Sequence, residues 1–255
     1  MSNTHAEPTE TTGTAPLTSN LKMLRLLEEI ARTDAPFGVS EIARRTGGSR
    51  SMVHRQLVTL VAGGWLTTTP QGLYTLSFAP VRLGQAALRH ASLDDRIAAE
   101  LRRIADELGE GISLGTIDGD LVTVVSRGLP RRNVQVSLAH GQRFAIGGSA
   151  LGNVLASYLE DAELNRLAER GAELPDAATR ALVRREGHAV LVDDEFDPID
   201  IIAVPVGAEV GRVRFALSAH WPHGRTSPAA VLSVLEDGAR AIADLTEQSS
   251  GVLPT

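Results

Sequence analysis

Residues 39–66 read VSEIARRTGGSRSMVHRQLVTLVAGGWL, and their spacing decides the fold of the first third of the chain. Val53, Leu57, Leu60 and Val61 stand at i, i+4, i+7 and i+8, one face of a helix over residues 50–62. Just before it, Ile42 and Ala43 supply the inward side of a shorter helix. Ser40 is placed to cap that helix, and Gly47-Gly48 ends it. After Gly63-Gly64 the period changes from helical to alternating: WLTTT and LYTLS flank Pro-Gln-Gly and read as a hairpin. Working further upstream, LKMLRLLEEIAR places Leu21, Leu24, Leu27, Ile30 and Ala31 at helical spacing, with Thr18 or Ser19 available as N-cap. Helix, helix, tight glycine turn, helix and hairpin make a winged helix-turn-helix.

Charge points the same way. The chain is acidic overall, with a net charge of −6 over 255 residues. Yet residues 17–90 hold nine basic and four acidic side chains, a net of +5, while residues 91–255 carry −9. A basic segment joined to a longer acidic one implies two domains with different partners. There is no cysteine, which excludes disulfides and thiolate chemistry and fits a reducing cytoplasm. The first residues, MSNTHAEPTETTGTAPLTS, have neither the basic nor the apolar region of a signal peptide and read as a disordered arm. No apolar run is long enough for a membrane span.

Beyond the hairpin, APVRLGQAALRHA reads as a linking helix and LDDRIAAELRRIADELG as an amphipathic helix ending at Gly109. GISLGTI and LVTVVSR flank Asp-Gly-Asp, a hairpin signal. NVQVSLA (133–139) reads as a third strand, GSALGNVLASYL as a helix with Ser149 near its start, and 161–187 as further helix. HAVLVD, IDIIAVPV and RVRFALSAH complete the strands, and a helix over about 228–247 closes the chain. Strands in hairpin pairs flanked by helices indicate an α+β domain with an antiparallel sheet.

Several motifs carry candidate chemistry. With Val53 and Leu57 on the core, Arg50, Ser51, Met52, His54, Arg55 and Thr59 occupy the rest of the 50–62 helix, with Ser49 at its start. A recognition helix meets base edges with its first residues while flanking basic groups hold phosphates. The alternative is a merely solvated basic helix. His220 and His223 in HWPHG have a metal-ligand spacing, but Pro222 and Gly224 make the stretch a loop with no third ligand. GGSALG (147–152) lacks the second glycine of a nucleophile elbow. It reads either as a plain helix cap or as a helix start whose free N–H groups take a carboxylate. DDEFDPID (193–200) is a cation-binding candidate or a solvated acidic loop. An enzyme built on Ser149, His140 and the 193–197 carboxylates is the rival reading, and nothing in the spacing assembles a triad.

These segments resemble the IclR family of bacterial transcriptional regulators over about residues 18–247. The marks are SEIAR, the V-H-R-x-L-x-x-L core of the recognition helix, GWL entering the wing and YTL…LG leaving it. HGQRFAIGGSALGNVLAS, VRREGHAV, IAVPV and ALSAHWP are similar to the family's second-domain segments. The resemblance implies a winged helix-turn-helix at 18–78 after an arm at 1–17, and a linker helix at 79–92. It also implies a GAF-like effector-binding domain with an antiparallel sheet at 93–248, and a tail at 249–255. Partners implied are double-stranded operator DNA, a small organic or aromatic acid, and a second copy of the chain as a homodimer or dimer of dimers. No cofactor, resident metal or catalytic residue is expected.

Expected DNA contacts are Ser40, Ser49, Arg50, Ser51, Met52, His54, Arg55 and Thr59. By the resemblance the effector pocket takes Gly148, Ser149, Ala150, Ile202 and Ser218, with Asp193 or Asp194 as its acidic member. The sequence departs from the family at HWPH, where smaller residues are usual. This departure adds Trp221 for stacking an aromatic acid, with His223 or a helix N-terminus for its carboxylate.

Overall fold

The computed structural model describes residues 15–33, 35–131, 136–193 and 198–250, with the side chains of 193, 249 and 250 excepted. The chain divides into two compact units, 1–86 and 87–255.

In the first unit, α1 (Thr18–Ala31), α2 (Val39–Thr46) and α3 (Arg50–Ala62) precede a hairpin of β1 (Leu66–Thr68) and β2 (Tyr74–Leu76). The Ser49 hydroxyl caps α3 by accepting from the Met52 N–H, and Gly47, in the left-handed region at φ +66°, ends α2. Leu26, Ile30, Phe37, Ile42, Val53, Leu57 and Leu60 form its core, with Leu66 and Tyr74 from the wing.

Three local expectations are corrected. Helix α2 starts one residue earlier than read, at Val39 with Gly38 as N-cap, so Ser40 lies within the first turn and caps nothing. Helix α1 is entered from Leu17 without a side-chain cap, so neither Thr18 nor Ser19 serves. The buried face of α1 is also rotated. Leu26 and Ile30 are buried with Met23 and Leu27 beside them, while Leu21, Leu24 and Ala31 face outward.

The second unit is an antiparallel six-stranded sheet in the order β5 (Arg143–Ala145), β4 (Leu121–Gly128), β3 (Gly111–Asp118), β8 (Phe215–Pro222), β7 (Ile199–Val206) and β6 (Ala189–Asp193), covered on both faces. It follows α4 (Ala79–His90), within which the division between the units falls. Helix α5 (Asp95–Leu108) is capped by Asp94, and β3 (Gly111–Asp118) turns at Gly119 into β4 (Leu121–Gly128). The residues Val136 to Ala139 are not a strand, and 133–135 lie outside the described residues. The strand beside β4 is instead β5 (Arg143–Ala145). A side chain at Gly111 would collide with the Val136 carbonyl. The segment from Val136 thus lies against the start of β3, which only a glycine permits.

Helix α6 (Ala150–Ser157) follows, and the helical stretch expected over 161–187 is two helices, α7 (Asp161–Glu169) and α8 (Ala177–Glu186). The sheet ends with β6 (Ala189–Asp193), β7 (Ile199–Val206) and β8 (Phe215–Pro222), and α9 (Pro228–Ser250) closes the unit. Alternation along β7 and β8 sends Ile202, Val204, Leu217, Ala219 and Trp221 into a core with α5 and α9. The intervening Ala203 and Ala216 face α6 on the other side.

Candidate nucleic-acid interface and ligand cavity

On α3, Arg50, Ser51, His54, Arg55 and Thr59 are exposed and Met52 is half-buried, with Ser49 exposed at the amino end. Ser40 is exposed on α2. The helix is held from beneath by Val53, Leu57 and Leu60, so its outward side chains are presented by a rigid element. Met52, Arg55, Gln56 and Thr59 share a groove of about 540 Å³ with Thr18, Ser19, Asn20 and Lys22 of α1. Lys22 was missed by the sequence reading; being the only lysine, its signal was position and not pattern. Arg32 and Arg45 share Glu29, whereas no ion pair joins Arg50 or Arg55 to a carboxylate among the described residues. The charge on α3 is therefore available to an external anion.

In the second unit, a cavity of about 420 Å³ lies on the α6 face of the sheet. Val136, Leu138, Phe144, Leu151 and Ile201 give it apolar walls, and the Arg127 guanidinium fixes one of them by donating to the Leu138 carbonyl at 3.0 Å. Gly148, Ser149 and Ala150 line it at the start of α6. The Ser149 hydroxyl donates to the Ala145 carbonyl at 3.0 Å and accepts from the Gly152 N–H at 3.1 Å. The Asn153 N–H donates to the Ser149 carbonyl at 2.8 Å. This leaves the N–H groups of Ala150 and Leu151 without a partner among the described residues. They sit at the positive end of the helix dipole.

The polar floor comes from β8. His220 lines the cavity and is buried, while Ser218 lies two residues back on the same face. Ser218 Oγ is 3.1 Å from His220 Nε2 and 3.4 Å from the Ser113 carbonyl, and His220 Nδ1 is 3.3 Å from the Gly111 carbonyl. Burial pushes the imidazole down to about 4, against a smaller upward pull from the Gly111 carbonyl. The ring is therefore neutral at pH 7. No charged side chain lines the cavity among the described residues.

Other expectations land elsewhere. Ile202 and Trp221 are fully buried on the opposite face, in the α5/α9 core, because strand alternation puts them one residue out of phase with the cavity. Trp221 therefore cannot stack on a ligand there. Residues 220–222 are strand and not loop, with His220 paired to Gly111 and Ile201. His223 follows the strand and hydrogen-bonds Asp200 Oδ1 at 2.9 Å, so its imidazole is engaged away from the cavity. Asp200 sits opposite Trp221 in register.

The side chain of Asp193 and all of Asp194 lie outside the described residues, as do the rest of the 193–197 carboxylates. Ser149 serves as a helix cap, and no hydrogen bond joins it to His140 among the described residues. His140 is instead held below its usual value by desolvation and by the Arg127 charge. Among the described residues no group of three or more His, Asp or Glu is gathered for a metal, and no helix is long and apolar enough to cross a membrane.

Comparison with known proteins gives the same two parts. Residues 21–70 match the IclR helix-turn-helix domain, and residues 85–244 match the bacterial transcriptional regulator IclR C-terminal domain. The HTH-type transcriptional regulator BhcR of Paracoccus denitrificans is 29% identical over 245 residues, covering 91% of this chain and 86% of that one. An IclR transcriptional regulator of known structure from Alicyclobacillus acidocaldarius superposes with a TM-score of 0.75 at 23% identity, covering 91% of this chain and 100% of its own. An IclR homologue from Microbacterium hydrocarbonoxydans, solved in complex with 4-hydroxybenzoate, gives 0.72 at 21%, over 91% and 100%. With both domain matches in place and together spanning most of its length, the chain belongs to the IclR family of bacterial transcriptional regulators.

Proposed function

We propose that this regulator is a cytoplasmic homodimer, or dimer of dimers, that binds a pseudo-palindromic operator. A small organic acid held on the α6 face of the sheet modulates that binding. The observation that carries the ligand half is the cavity itself: among the described residues it has apolar walls, no lining charge, and two unpartnered N–H groups at the start of α6. A carboxylate at those N–H groups with its hydrocarbon body along Phe144 and Ile201 satisfies each surface in kind. Benzoate-sized acids suit this volume, and the Microbacterium protein of the same fold was crystallised with one.

For DNA, the contacts proposed are Ser49, Arg50, Ser51, Met52, His54, Arg55 and Thr59 of the α3 region, with Ser40 from α2. Two such helices would enter major grooves about one helical turn apart. The outward stripe of Leu21 and Leu24 on α1 with Leu17 just before it, and the exposed Phe78, Val81 and Leu83, supply apolar surface for the second copy. A coupling of about 1–3 kcal/mol between ligand and operator is enough for regulation.

The test is a gel shift against the upstream region of the protein's own gene, with and without a panel of benzoates. The expected result is a shifted band whose midpoint moves with at least one acid. Retarded DNA that no acid affects would remove the ligand half of the reading, and no retardation would remove the operator half.

A further inference from the structure

The floor of the cavity makes a chemical choice that its shape does not. The Gly111 carbonyl can only accept, so Nδ1 of His220 carries the ring proton and donates to it. In a neutral imidazole Nε2 is then a lone pair, and the Ser218 hydroxyl donates to it. That hydroxyl has one proton and two acceptors within reach, Nε2 at 3.1 Å and the Ser113 carbonyl at 3.4 Å. A ligand hydroxyl arriving at Nε2 takes over the donation, and Ser218 turns its proton to Ser113. Every polar group stays partnered.

A ligand that presents only an acceptor there meets a lone pair. It gains a hydrogen bond only if the buried ring takes a proton. Among the described residues the groups facing the ring do not help it do so: Gly111 and Ser113 of β3, Ser218 of β8 and Ile201 of β7 bring no charge. Arg127, opposite Ser113 in register on β4, donates to the Leu138 carbonyl and brings no negative charge. Burial holds the ring neutral far below pH 7.

We propose that His220 and Ser218 make this cavity select ligands that bring a hydroxyl or other protic donor to the sheet, and reject those whose polar group at that end is only an acceptor. The proposal rests on the cavity being the effector site, and it narrows the ligand class to hydroxylated acids. An unmet polar group in a buried site commonly costs a factor of about ten or more in affinity.

The experiment is calorimetric titration of the full-length protein with benzoate, 3- and 4-hydroxybenzoate, the matching methoxybenzoates, phenol and anisole. One of the hydroxybenzoates is expected to bind about tenfold or more tightly than its own methyl ether, and more tightly than benzoate by a smaller factor. In His220→Phe that preference falls to within about twofold, while Ser218→Ala, which leaves the Nε2 lone pair open, retains it. Thermal melts report whether each variant is folded; should His220→Phe not fold, the wild-type ranking and Ser218→Ala decide. Equal affinity for the hydroxy, methoxy and unsubstituted acids in the wild type overturns the proposal, as does a preference for the ethers. If no acid binds but phenol outbinds anisole, the donor selection stands and the acid reading falls. If nothing binds, both fall.

Discussion

Arg55→Ala tests the DNA interface most directly, because the structure predicts what the substitution leaves untouched. Arg55 is exposed on α3 and has no carboxylate partner among the described residues. Its only described internal hydrogen bond of note is through its backbone carbonyl, which accepts from the Thr59 hydroxyl at 2.9 Å and survives truncation. The helix keeps its Ser49 cap and its Val53, Leu57 and Leu60 anchor. The melting temperature should therefore hold while DNA binding falls. A phosphate contact contributes about −0.9 to the slope of log affinity against log salt. The proposed dimer, with two recognition helices, loses two, so the slope becomes shallower by about 1.8. Raising salt fourfold, from about 50 to 200 mM, then narrows the gap between wild type and variant about twelvefold. Because phosphate contacts carry no sequence information, operator and unrelated DNA should weaken alike. Fluorescence anisotropy across a salt series measures all of this, and Arg32→Ala, whose charge is engaged by Glu29, is the control with a smaller change in slope. A wild-type slope in Arg55→Ala would refute the placement of α3 against DNA. A loss confined to the operator would reassign Arg55 to base reading.

Ser49→Ala removes the cap on Met52 N–H and should cost about 1 kcal/mol, seen as a lower melting temperature of the first unit. An unchanged melt would mean that solvent replaces the cap. Gly152→Ala places a methyl group against the Ile146 carbonyl, backbone that has no easy retreat, and should destabilise the second unit by about 3 kcal/mol or more. Wild-type stability in chemical denaturation would contradict that packing. For His220 the folded value of about 4 lies below the unfolded value of about 6.5, so the unfolded chain binds the proton first as pH falls. Its contribution should be level above about pH 6.5, then fall by up to about 1.4 kcal/mol per pH unit down to about pH 4. An imidazole resonance titrating near 6.5 would show that the ring is not buried neutral.

Much of the first unit is legible in sequence because its signals agree. The helical period of Val53, Leu57 and Leu60 and the change of period after Gly63-Gly64 bound α3, and Gly47 marks the end of α2. Helix α1 was legible as a helix and not in its orientation. Leu17, Leu21 and Leu24 make one apolar stripe and Met23, Leu26, Leu27 and Ile30 another, and periodicity does not say which stripe meets the chain's own core. The second unit failed where alternation misled. Val134, Val136 and Leu138 alternate as a strand would, but the last two line the cavity from a segment without strand pairing. Meanwhile β5 is three residues long, too short for any period to register.

The misplacement of the cavity floor has a sharper cause. Pro222 and Gly224 suggested that the strand ends at His220, yet Pro222 lies where β8 is paired to β7 alone, as on a sheet edge, and β8 runs through it. Once the strand is extended, phase assigns everything: Leu217, Ala219 and Trp221 go to the α5/α9 core, Ser218 and His220 to the other face. A polar residue at every second position of an antiparallel strand is ordinarily the mark of a solvated face. Here that face is covered by α6, and Ser218 and His220 are buried. Polar side chains in such a place must find partners inside. Those they find, the carbonyls of Gly111 and Ser113, are backbone acceptors only, and they leave one proton shared between two sites. An apolar pair would fill the same space more stably. Keeping a half-committed hydrogen bond under an apolar cavity has a physical rationale if the cavity is sometimes occupied by something that completes it.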